Sequence, residues 1–143
     1  MSALTATLDL VVVAALGAWL GVMAFFSFVG APRAFAVYGD DGGRYVNDVF
    51  PRYYRLGVGL GSLAFLAALA LGGVDGVDAT GAVLLVAAGL AGLLPGYSLA
   101  VLVPKMEAAG EDAFEQYHRQ SVLLNGLAML AAAVGLVAAH WPA

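Results

Sequence analysis

His118, Ser121 and Asn125 stand at positions i, i+3 and i+7, at the head of a long uncharged stretch. On a helix this spacing gathers an imidazole, a hydroxyl and a carboxamide on one face. Such a trio can hydrogen-bond a ligand, and the imidazole can ligate a metal. Glu115 lengthens the pattern to Glu115-x-x-His118, the spacing that carboxylate-bridged metal bundles use. Those sites need further carboxylates and a second Glu-x-x-His, and the chain has neither. The same glutamate also reads as the third helical residue of a capping box with Asp112 as N-cap, and this is the preferred reading. His118 with Glu115 remains the one metal candidate. Asn125 lies deepest in the apolar stretch. A lone amide facing lipid costs several kcal/mol, on the order of the desolvation of an unpaired polar group, so Asn125 is expected among helices with its amide bonded.

These residues need a scaffold, and composition says which kind. The chain of 143 residues is 62% hydrophobic and 11% charged, with a mean hydropathy of +0.90. This is the profile of an integral membrane protein rather than a soluble domain. Charge-free intervals run from Leu10 to Pro32, Leu56 to Val74, Ala79 to Pro104 and, with neutral His140, Gln120 to Trp141. Each approaches or exceeds the roughly 20 residues that cross about 30 Å of hydrocarbon as a helix. The expectation is therefore all-α: one domain over residues 1–143, an integral membrane bundle of four transmembrane helices. No Lys or Arg precedes the first apolar run, which is also too long for a signal-peptide core, so it reads as a span.

Topology follows from the basic residues. Arg33, Arg44, Arg52 and Arg55 fall between the first and second spans, and Lys105 and Arg119 between the third and fourth. The positive-inside rule then places both long connections in the cytoplasm and both termini outside, in the cell membrane. The net charge of −4 excludes a nucleic-acid partner, because neutralising phosphates needs a basic surface. The bilayer itself is the expected partner, with a homo-oligomer or a membrane protein as the alternatives. With no cysteine, disulfides and thiolate metal sites are excluded.

Along the chain, Gly17 and Gly21 in span one and Gly57 and Gly61 in span two form small-xxx-small pairs suited to close helix approach. Ser27 can bond back to its own helix and needs no other role. Span one is expected to end at Gly30-Ala31-Pro32-Arg33, followed by a short interfacial segment from Ala34 to Gly43. Arg44 to Arg55 reads as the start of the second helical span, with Asn47 and Arg52 available on one polar face. That face either snorkels to headgroups or turns inward toward span four. Pro95, inside span three, frees a carbonyl near Ala91 that a neighbouring helix must meet, and Tyr97 and Ser98 follow at the kink.

Pro32 and Phe35, then Phe50-Pro51-x-Tyr53-Tyr54, Pro104, and Phe114-x-x-x-His118-x-x-Ser121-x-x-x-Asn125 together resemble the transmembrane-protein-205-like family, also known as domain of unknown function 4149. The resemblance covers essentially the whole chain and implies a small membrane protein of four helices, without a defined chemistry. More distantly the layout is similar to copper-resistance-D-type proteins and to HemJ-type protoporphyrinogen oxidases. The latter resemblance implies a haem-serving histidine in the first span, and span one here has none. His118 and His140 lie roughly 33 Å apart on one continuous helix, so they cannot share a cofactor. A haem or a metal could rest only on His118, and nothing in the sequence requires one.

The reading favoured by these residues is a protein that binds or transports a small solute, a lipophilic compound or a metal near the cytoplasmic leaflet. Its site would draw on His118, Ser121, Asn125, Tyr97, Ser98, Asn47 and Arg52. The alternatives are a haem- or metal-dependent membrane oxidoreductase and an accessory subunit whose polar stripe only locks helices together. No catalytic residue is assigned.

Overall fold

Ser2 opens the first helix, its side chain accepting from the backbone N–H of Thr5 at 3.1 Å. The structure is a computed structural model, and it describes residues 2–109 and 111–141, with the side chains of Glu111 and Asp112 outside that description. Among the described residues it is all-helical. Helix α1 spans Ala3–Phe25 and passes through a π-helical turn, Phe26–Gly30, into α2, Ala31–Tyr38. A 3₁₀ turn, Gly39–Asp41, leads to α3, Gly42–Asp75. Helix α4, Ala79–Tyr97, passes through a second π-helical turn, Ser98–Leu102, into α5, Val103–Ala108, and α6 covers Glu111–His140. Three helical stretches are long and apolar enough to cross a membrane: Ala3–Asp75 as one run, Ala79–Ala108 and Ala113–His140. This is the character of a membrane protein, and Leu10, Phe28 and Leu93 among other large apolar side chains face outward.

The chain reverses at Gly39, whose φ of +55° suits a residue without a Cβ. Helix α3 therefore returns alongside α1 and α2, and its first turn is tight: a Cβ on Gly42 would stand 2.7 Å from the Phe35 Cα. Asp78 caps α4 by accepting from Gly81 N–H at 2.7 Å, after a short turn that keeps α3 and α4 adjacent. Helices α1, α3, α4 and α6 contact one another in the order α1–α3, α3–α4, α4–α6 and α6–α1.

One feature differs from expectation near the prolines. Pro32 does not end a helix, because the chain stays helical through it. A proline cannot donate to the carbonyl four residues earlier, and its ring crowds that carbonyl. The π-turn widens the helix just before it, with Ala31 N–H donating to Phe26 O. The same device recurs in α4 and α5, where Val103 N–H donates to Ser98 O and Pro104 follows. In both places the proline is the second residue past the π-turn.

Glycine packing is also selective. A Cβ on Gly57 would sit 2.3 Å from the Trp19 ring, and one on Gly61 would sit 2.4 Å from the Gly92 backbone. This pair does bring helices together. Gly17 and Gly21 do not, since nothing lies within 4 Å of a Cβ at either position. They sit on the outer side of α1, turned away from Leu16, Trp19 and Met23, which are fully buried.

Pro95 lies inside α4, and the carbonyl it frees is met inside the fold. The orphaned Ala91 carbonyl accepts from Trp19 Nε1 at 3.1 Å. The indole thus lies on Gly57 of α3 while bonding to α4, which ties three helices at one point.

Candidate functional site

Val46, Phe50, Tyr53 and Gly57 recur at helical spacing and define the inner face of α3. Their aromatic rings continue a ladder that starts at Trp19. The Trp19 and Tyr53 ring centroids are 5.0 Å apart, Phe26 and Tyr53 4.9 Å, Tyr53 and Tyr54 5.2 Å, and Phe50 and Tyr54 5.6 Å. Opposite them, α6 presents His118, Ser121 and Asn125.

The two faces meet through hydrogen bonds. Tyr53 donates its hydroxyl to Asn125 Oδ1 at 2.5 Å, and Asn125 Nδ2 donates to Ser27 Oγ at 3.0 Å. The Tyr54 hydroxyl pairs with Ser121 Oγ at 2.6 Å, with buried Ser98 beside it. Each π-turn contributes one serine to this network, Ser27 from the first and Ser98 from the second. A π-turn rotates the residues that follow it relative to a regular helix, and such turns recur at functional sites. Ser27 bonds across to another helix, in place of the local back-bond its position suggested.

Next to this network lies a cavity of about 270 Å³. Phe26, Ser27, Ala31, Pro32 and Phe35 line one side, the α3 residues Val46, Phe50, Tyr53 and Tyr54 a second, and His118, Ser121, Val122 and Asn125 a third. Phe35 and Val122 are about half exposed, so the cavity's mouth lies between α2 and α6. No Asp, Glu, Lys or Arg is among the lining residues. His118 stacks on Phe114 at 5.8 Å with the rings nearly parallel. Its Nδ1 is buried and has no hydrogen-bond partner in the protein.

Of the residues singled out in the sequence, His118, Ser121 and Asn125 come together at this cavity, and Ser98 stands behind Tyr54. Tyr97 is 49% exposed and points away from it. Asn47 and Arg52 are exposed as well, and Arg52 bonds Asp48 at 2.8 Å on the outer face. Each sits one residue, about 100° of rotation, off the face set by Val46 and Tyr53. Glu115 also faces outward, 82% exposed and 3.7 Å from Arg119, while His118 lines the cavity. Among the described residues no group of three His, Cys, Asp or Glu is placed to hold a metal. The capping box is corrected in part: α6 is already helical at Glu111, so Asp112 does not precede it as N-cap, and the Asp112 side chain lies outside the described residues. For a haem the cavity offers one imidazole, His118, in a lining that is otherwise aromatic, aliphatic and hydroxyl- or amide-bearing.

A family described as a domain of unknown function, DUF4149, matches residues 14–115. The chain belongs to this family. No curated protein and no solved structure matches it. The DUF4149 match includes Ser27, Tyr53, Tyr54 and Ser98, and it ends ahead of their α6 partners Ser121 and Asn125.

Tyr53, Tyr54 and Ser27 are the site residues that sequence reasoning missed. The tyrosines read as an interfacial belt and the serine as locally bonded. The available signal was their place on the Val46–Phe50–Tyr53–Gly57 face, which identifies the inner side of α3.

Proposed function

We propose that this DUF4149 protein binds a small molecule in the cavity between α2, α3 and α6, and passes it to or from the cytoplasmic leaflet. The single observation behind this reading is the cavity itself, where half-buried His118 joins the bonded Tyr53–Asn125–Ser27 and Tyr54–Ser121 groups beside open volume. A polar stripe serving only to lock helices would be closed over by packing. In the proposed arrangement α1, α3, α4 and α6 each cross the bilayer as a four-helix bundle. Both termini face outward, and the Arg33, Arg44, Arg52, Arg55, Lys105 and Arg119 connections face the cytoplasm. The cavity then sits at the inner leaflet, and its mouth between Phe35 and Val122 is open to lipid-soluble compounds. A metal cargo is not favoured, because no carboxylate reaches the cavity.

Mass spectrometry of the protein extracted from its own membranes tests this reading. A stoichiometric small molecule is expected with the native chain and is lost from Val122→Trp, which closes the mouth. The same bound inventory in both, or none in either, contradicts it and leaves the accessory-subunit reading.

A further inference from the structure

The mouth of the cavity opens sideways. Helix α2 packs on α3 and on the turns at its own ends, while α6 packs chiefly on α1 and α4, so α2 and α6 stand apart with Phe35 and Val122 at the edges of the gap. Phe28, in the π-turn before α2, and Leu123, next to Val122, are both strongly exposed. Large apolar side chains on the outer surface of a membrane helix mark the hydrocarbon layer, so lipid rather than water lies at the gap.

Inside, much of the wall is carbon, from Phe26, Pro32, Phe35, Val46, Phe50 and Val122, and no charged residue lines it. The hydroxyls and the amide of the lining are already bonded to one another: Tyr53, Asn125 and Ser27 in series, and Tyr54 with Ser121. His118 Nδ1 is buried, out of a ligand's reach. A water molecule needs about two to four polar partners to settle in such a space, and these groups offer it few. Left empty, the void forfeits the dispersion contacts of its lining. Hydrocarbon from the surrounding bilayer fills it without stranding a polar group. Charge adds an orientation. Arg119 lies three residues before Val122 on the outer side of α6, and its contact with Glu115 is a loose 3.7 Å between two exposed side chains. That is about 4.5 Å along the helix toward the proposed headgroup layer, where a lipid phosphate meets a cation. We propose that the cavity takes an acyl chain of an inner-leaflet phospholipid, which enters between α2 and α6 and leaves its phosphate beside Arg119. This rests on the reading of the cavity as a ligand site and adds the class of ligand.

Trp19 can report on the cavity, because it is fully buried and its ring lies 5.0 Å from that of Tyr53, which lines the space. Trp141→Phe leaves it as the only tryptophan. Bromine quenches indole emission only at short range, so the full chain carrying Trp141→Phe is reconstituted in phosphatidylcholine vesicles containing phosphatidylglycerol with dibrominated acyl chains. The brominated chains are expected to remove most of the Trp19 emission seen in unbrominated vesicles. Val122→Phe narrows the mouth and Ala31→Leu fills the space from α2, and each, added to Trp141→Phe, should restore much of the emission. Diacylglycerol with the same brominated chains lacks the phosphate and should quench less at the same fraction. Equal quenching by the two lipids overturns the place of the phosphate. Bromobenzene in unbrominated vesicles supplies a compact apolar alternative. If only its quenching is relieved by Val122→Phe or Ala31→Leu, the acyl chain is overturned and the cavity reading stands. If neither variant relieves the quenching by either probe, both the chain and the cavity reading fail.

Discussion

Trp19 donates its indole N–H to the Ala91 carbonyl, the acceptor that Pro95 leaves without a helical partner. A side chain on α1 thereby repairs a backbone defect in α4. Trp19→Phe should destabilise the protein by about 1–3 kcal/mol, as expected for a buried carbonyl left unpaired. Pro95→Ala restores the helical donor, so the double variant should be more stable than the sum of the single changes. Unfolding in mixed detergent of the four proteins of this cycle measures the coupling. Strict additivity would show that the indole and the proline are independent.

The glycines of α3 and α1 separate packing from mere sequence pattern. Gly61→Ala places a methyl 2.4 Å from the Gly92 backbone and should cost about 1–3 kcal/mol as overpacking. Gly17→Ala and Gly21→Ala meet open space and should fall within about 0.5 kcal/mol of the native protein. Thermal denaturation of the three variants decides between this ranking and one in which all small-xxx-small pairs matter equally.

Tyr53 and Asn125 form the central link between α3 and α6. Tyr53→Phe leaves Asn125 Oδ1 without its donor and should cost about 1–3 kcal/mol. Tyr53→Phe combined with Asn125→Leu removes both partners, and the pair should cost less than the two single losses added. The same unfolding assay reads this, and an additive result would mean that the two side chains do not depend on each other.

The chain has no cysteine, so single-cysteine variants report topology directly. With both termini outside, Ser2→Cys and Trp141→Cys should react with a membrane-impermeant maleimide on intact cells. Asp41→Cys and Glu107→Cys should react only after permeabilisation. The opposite pattern would invert the proposed orientation and move the cavity to the outer leaflet.

The α6 half of the site was legible because polar groups inside an apolar helix are expensive, which makes His118, Ser121 and Asn125 conspicuous. The all-helical character and the need for a partner to the Ala91 carbonyl were legible for the same kind of reason: hydrocarbon length and backbone hydrogen bonding leave few options. The α3 half was hidden by the amphipathic nature of tyrosine, which suits a membrane interface as well as a core. For Asn47 and Arg52 the sequence left two faces open, outward to headgroups or inward to span four, and they take the outward one because the register of an amphipathic helix turns on one residue. The π-turns carry no propensity signal of their own. Only the prolines two residues beyond them hint at the rerouted hydrogen bonds of the turns in which Ser27 and Ser98 lie.

The central claim is that a small molecule occupies the space between α2, α3 and α6, and photo-crosslinking in native membranes tests it most directly. A small lipophilic compound bearing a diazirine, activated in place and mapped by peptide mass spectrometry, should label the Phe26–Phe35, Val46–Tyr54 and His118–Asn125 segments, and Val122→Trp should abolish that labelling. Labelling spread over outward-facing residues such as Leu10, Leu93 and Leu130, and unchanged by Val122→Trp, would contradict the account.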